Sequence, residues 1–162
     1  MTNEYEHWRQ RAAREPTHAV SHFNWGWWAA RNGRYEEAAA AYRRALTLNI
    51  AEPEEAMTNL AALYSDQLGR TDLATQWLER ARSQCANYYA AHFNRGHLAE
   101  QLGDRAGAVA GFERAARCEA RTGGPGTIAR TRPRRSRMTT PPRETQEAGN
   151  DASPIPCLSG GH

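Results

Sequence analysis

At 162 residues, the chain has the length of one ordinary domain, or of one domain with a tail. Its basic side chains are all arginine and give a pI near 9, but residues 1–120 hold 14 Arg against 15 Asp and Glu, whereas residues 121–162 hold 7 Arg against 3 acids. The first 120 residues are therefore close to neutral, which weakens the case for a nucleic-acid-binding domain, since such binding needs clustered positive charge.

The first fifteen residues, MTNEYEHWRQRAARE, lack the apolar segment of a signal peptide. No run approaches the roughly 18 apolar residues of a membrane span. These features predict a soluble, cytoplasmic protein with no membrane contact. Cys85, Cys118 and Cys157 form no CxxC and no even framework, which points away from a disulfide scaffold or a structural metal.

Tyr5, Trp8 and Ala12 fall at i, i+3 and i+7 and predict a short helix over 4–14, ended by Pro16. Such a helix is too short to stand alone, so Trp8 should pack on the chain beyond Pro16. Three similar segments then succeed one another. Asn24, Asn59 and Asn94 are 35 residues apart, as are Gly26, Ala61 and Gly96. The turn glycines Gly33, Gly69 and Gly103, and the second-helix sets Ala38/Ala74/Ala108 and Tyr42/Leu78/Phe112, are spaced 36 and then 34. One extra residue between Tyr64 and Gly69 reconciles the two spacings. In each unit the small residue of the first helix permits close packing. The glycine supplies a left-handed turn, and the alanine marks the crossing of the second helix.

This pattern resembles the tetratricopeptide repeat, a unit of about 34 residues with a W-x2-L-G-x2-Y…A-x3-F…P signature. Met57, Leu60, Ala61 and Tyr64 occupy the first-helix places of that signature in the second unit. His22, Trp25, Gly26 and Ala29 do so in the first, and His92, Arg95, Gly96 and Ala99 in the third. The resemblance covers residues 4–120 and implies an all-α, right-handed superhelical solenoid of three helix-turn-helix repeats behind a short N-terminal helix. The expected layout is a capping helix over 1–18, repeats over about 19–53, 54–88 and 89–120, and a disordered Arg/Pro/Gly-rich tail over 121–162.

In such a stack the first helices line a concave groove. Helical spacing sets Phe23, Asn24, Trp27 and Arg31 on a face away from the stripe that holds His22 and Gly26. Asn59 and Asp66 in the second unit, and Phe93, Asn94 and His97 in the third, share that face. The asparagines could form a ladder that bonds an extended peptide backbone, because a side-chain amide both donates and accepts. Trp27 is the informative aromatic: Ala62 and His97 hold its place in the other units, so repeat packing does not demand it. Aromatic residues in a groove are the usual anchors of protein recognition. The Lys/Asn/Arg clamp that some relatives use on a C-terminal carboxylate matches here only at Asn59.

These readings predict a non-enzymatic module that binds a peptide or helix of another protein, with no cofactor and no metal. His18 and His22 are four apart but lack a third ligand. Phosphate-loop, dinucleotide and zinc-protease motifs are absent. The alternative is an assembly subunit, or a fragment of a longer repeat protein, that self-associates through an uncapped third repeat around Val109, Phe112 and Ala116. Nucleic acid could be met only through the tail cluster Arg130–Arg137.

Overall fold

Residues 3–121 are described by the structure, a computed structural model. Among them the chain forms α1 (Glu4–Arg14), α2 (Ala19–Arg31), α3 (Tyr35–Thr47), α4 (Pro53–Asp66), α5 (Thr71–Gln84), α6 (Tyr89–Gln101) and α7 (Arg105–Arg121). These residues contain no β-strand. The expected tail beyond Arg121, with its Arg130–Arg137 cluster, lies outside the described residues. No described helix is long and apolar enough to cross a membrane.

The helices pair as α2 with α3, α4 with α5 and α6 with α7, and the pairs stack through α3 on α4 and α5 on α6. α1 packs on α2 in the way that α3 packs on α4. The stripe Tyr5, Trp8 and Ala12 is its buried face. Asn3 caps it, its side chain accepting from the Tyr5 N–H at 3.2 Å.

The repeat is legible in the backbone. Gly33, Gly69 and Gly103 all adopt positive φ, at 74°, 60° and 76°, a region that costs a side-chain-bearing residue about 1 kcal/mol or more. In the first and third turns the closing bonds run from Arg34 N to Ala29 O and from Asp104 N to Ala99 O, each spanning five residues. In the second, Arg70 N reaches Tyr64 O across six. The extra residue between Tyr64 and Gly69 is thus taken up by the helix end and turn, and the helix register on either side is kept.

The core runs along the stack as one cluster that includes Phe23, Tyr42, Ile50, Leu60, Leu63 and Leu78. Each such large side chain contributes about 1.5–3 kcal/mol when fully buried. Small residues set how closely the helices approach. A Cβ on Gly26 would lie 3.1 Å from the Tyr42 ring, and one on Gly111 would lie 2.5 Å from the Gly96 Cα.

Candidate functional site

The first helices align by register, so the expected groove is three rows of side chains rather than one enclosed pocket. Phe23, Thr58 and Phe93 form one row, Trp27, Ala62 and His97 the second, and Arg31, Asp66 and Gln101 the third.

Burial divides the expected residues. Asn24 and Asn59 are fully buried and Asn94 is 6% exposed. Asn94 Nδ2 donates to Thr58 O at 3.3 Å, joining α6 to the neighbouring first helix α4. The reading of these three side chains as an accessible ladder is therefore corrected: all three are buried in the stack, and at Asn94 the cause is the packing of α6 directly on α4.

Phe23 is also corrected as a surface group. It is fully buried, with its ring 5.5 Å edge-on from Tyr42. Phe93 stands in the same register and makes the same kind of contact, 5.5 Å from Phe112. It nevertheless stays half-buried, stacked on Tyr89 at 5.7 Å. A following pair covers the first repeat, and no described helix covers the third.

Trp27 and Arg31 remain at the surface of α2. Trp27 is half-buried, 4.8 Å from the Trp28 ring in an edge-on arrangement. The Arg31 guanidinium lies 4.6 Å from the Trp27 centroid and 5.8 Å from that of Trp28. Such contacts contribute about 0.5–1 kcal/mol when exposed and here hold both side chains in one geometry. The Trp27 indole N–H has no hydrogen-bond acceptor among the described residues. Further along the same face, Gln101 Nε2 donates to Asp66 Oδ1 at 3.1 Å and ties the end of α6 to that of α4. His97 is half-buried, with Nε2 3.8 Å from Glu100.

Sequence spacing missed Glu37. It belongs to the first turn of α3, where acids are favoured by the helix dipole. Its Oε1 accepts from both Tyr5 Oη at 2.6 Å and Trp25 Nε1 at 2.9 Å. One carboxylate thus links α1, α2 and α3. The polar tips of two otherwise apolar aromatics were the signal for it, since a half-buried Tyr or Trp seeks a partner.

His18 and His22 do not converge. His18 Nδ1 meets Ser21 Oγ at 2.7 Å, and His22 Nε2 meets Pro16 O at 3.2 Å. Among the described residues, no three His, Cys, Asp or Glu side chains gather at metal-binding distance.

Residues 19–50, the first helix pair, match the family model described as tetratricopeptide repeat. Among solved structures the chain is similar to that titled "Crystal structure of MamA", with a TM-score of 0.65 and 24% sequence identity, over 73% of this chain and 68% of that one. No curated relative matches the chain.

Proposed function

Starting from a solenoid of tetratricopeptide repeats, we propose that this protein is a non-enzymatic interaction module that holds a segment of another protein against the exposed face of its first helices. The observation that carries the reading is Trp27, a large aromatic held under Arg31 at a register where the stack needs only Ala62 or His97. An aromatic anchored by an arginine, half in water, is the composition of a recognition hot spot. Arg31, Asp66, His97 and Phe93 complete the contact surface. Asn24, Asn59 and Asn94 serve it indirectly, by fixing the helices that carry it.

The test compares partners captured from native extract by the full chain with those captured by Trp27→Ala and Arg31→Gln. The variants should keep their helical circular dichroism and lose the partners. Truncation of an anchor tryptophan costs about 2–4 kcal/mol of binding. Retention of every partner by both variants would sink the reading.

One observation favours a second reading, association through the third pair. Val109 is 53% exposed and Leu102 60%, and Val109 lines a cleft of about 330 Å³ together with Glu100, Gly103, Arg105, Ala108 and Phe112. Val109 holds the register of Ala39, which is 1% exposed beneath α4. Sedimentation of the full chain over a range of concentrations tests this, and a monomer throughout argues against it.

A further inference from the structure

On the opposite side of α6 from Asn94 and His97, a cleft of about 380 Å³ is lined by Arg82, Arg95, Arg114 and Arg117, with His92 and the small residues Ala86, Gly107, Ala110 and Gly111. Its walls are the end of α5 and the face of α7, and its floor is α6. The repeats explain why it is open. In the first pair, the places of Arg95 and Gly107 hold Trp25 and Glu37, hydrogen-bonded at 2.9 Å. In the second, the places of Arg95, Gly107 and Gly111 hold Leu60, Leu73 and Trp77, all packed in or on the core. The third pair replaces this filling with arginine and glycine.

The arginines are incompletely used. Arg44, at the register of Arg114, donates to Pro16 O at 3.2 Å, and Arg80 lies 4.7 Å over the Trp77 ring. Arg114 itself makes no hydrogen bond or ion pair among the described residues. The Arg82 Nε–H is buried without an acceptor among the described residues, although its Nη1 meets Glu79 at 2.6 Å. Arg95 and Arg117 stand 4.0 Å from Glu79 and Glu113. Four guanidinium groups face the carboxylates of Glu79 and Glu113 and that of Asp104, which accepts from the Gly107 N–H at 2.9 Å, so the cleft keeps a net positive charge.

We propose that this cleft binds a phosphate monoester carried on a polypeptide. A phosphorylated side chain brings a charge of about −1.5 to −2 and three strong acceptor oxygens, which matches the surplus charge and the unused N–H groups. Arginine forks suit phosphate oxygens. The rim residues Ala86, Gly107 and Ala110 are small enough for a backbone to lie across it. A nucleic-acid strand is disfavoured, because residues 1–120 are near neutral overall. The site is independent of the Trp27 face.

The experiment is calorimetric titration of the full chain at low salt with a phosphoserine peptide, its unphosphorylated form, inorganic phosphate and a short single-stranded oligonucleotide. The phosphopeptide should bind, and bind more tightly than inorganic phosphate. Arg114→Gln and Arg95→Gln should each weaken it about tenfold, the loss of one charge-assisted hydrogen bond. Arg43→Gln, on the exposed side of α3, and Trp27→Ala should leave it unchanged. As a second readout, His92 lies at the cleft beside Arg82, Arg95 and Arg114, and its NMR titration midpoint should rise when the phosphopeptide is bound. No binding by the unaltered chain, equal binding of the unphosphorylated peptide or of inorganic phosphate, preference for the oligonucleotide, or unchanged affinity in both arginine variants would each overturn the proposal.

Discussion

The Tyr5 hydroxyl donates to Glu37 Oε1 across 2.6 Å, so the N-terminal helix is fastened to the second helix of the first repeat and not only to the first. Burial raises the Tyr5 pKa, and the bond to Glu37 raises it further, so the phenol stays a donor through neutral and mildly alkaline pH. Arg34 completes the arrangement, 3.5 Å from Glu37 and 4.7 Å over the Tyr5 ring. Replacing Glu37 by Ala removes the acceptor for two aromatic donors at once. The expected loss is about 1–3 kcal/mol. Tyr5→Phe should cost about 1 kcal/mol, since only one bond goes. Urea denaturation followed by circular dichroism measures both. Equal effects for the two variants would mean that the Trp25 bond contributes nothing.

His22 and His92 stand seventy residues apart in sequence and at one place in the repeat. Each Nε2 meets a carbonyl six residues earlier, Pro16 O at 3.2 Å and Ala86 O at 2.8 Å. Burial lowers both pKa values, and neighbouring cations lower them further, while the carbonyl bonds act in the opposite sense. The neutral ring is therefore favoured in the folded state, and the unfolded chain binds more protons. The stability this contributes is fully present above the unfolded value of about 6.5 and is lost as pH falls through the lowered folded values. The urea midpoint should fall between pH 7.5 and 5.5. A His22→Gln, His92→Gln chain should show a flatter dependence over that interval. An unchanged slope would place the pH sensitivity elsewhere.

Phe23 and Phe93 show what the sequence could and could not disclose. Period, turn glycines, the inserted residue in the second unit and the buried stripe of α1 were all legible, because each follows from local geometry. Helical spacing also separated the two sides of each first helix. It did not say how much of the outward side the neighbouring repeat would cover, because that depends on the stacking of whole repeats. The same register therefore buries Phe23 fully and leaves Phe93 half-buried. Phe23→Ala should cost about 3–5 kcal/mol, as a cavity in a closed core does. Phe93→Ala should cost clearly less, because part of its ring is already in water. Equal losses would mean that the third pair is covered in solution.

That last possibility has its own test at Val109 and Ala39, which share a place on the second helix of their repeats. Ala39 is sealed beneath α4 at 1% exposure, so Ala39→Glu would bury an unpaired charge and cost several kcal/mol. Val109 is 53% exposed, so Val109→Glu should leave the stability of an isolated chain within about 0.5 kcal/mol. If chains associate through this face, the same substitution places a carboxylate at the centre of the contact and should convert assembled protein to monomer in sedimentation. A chain that is monomeric both before and after the change leaves the third pair as an exposed end of the stack and removes the assembly reading.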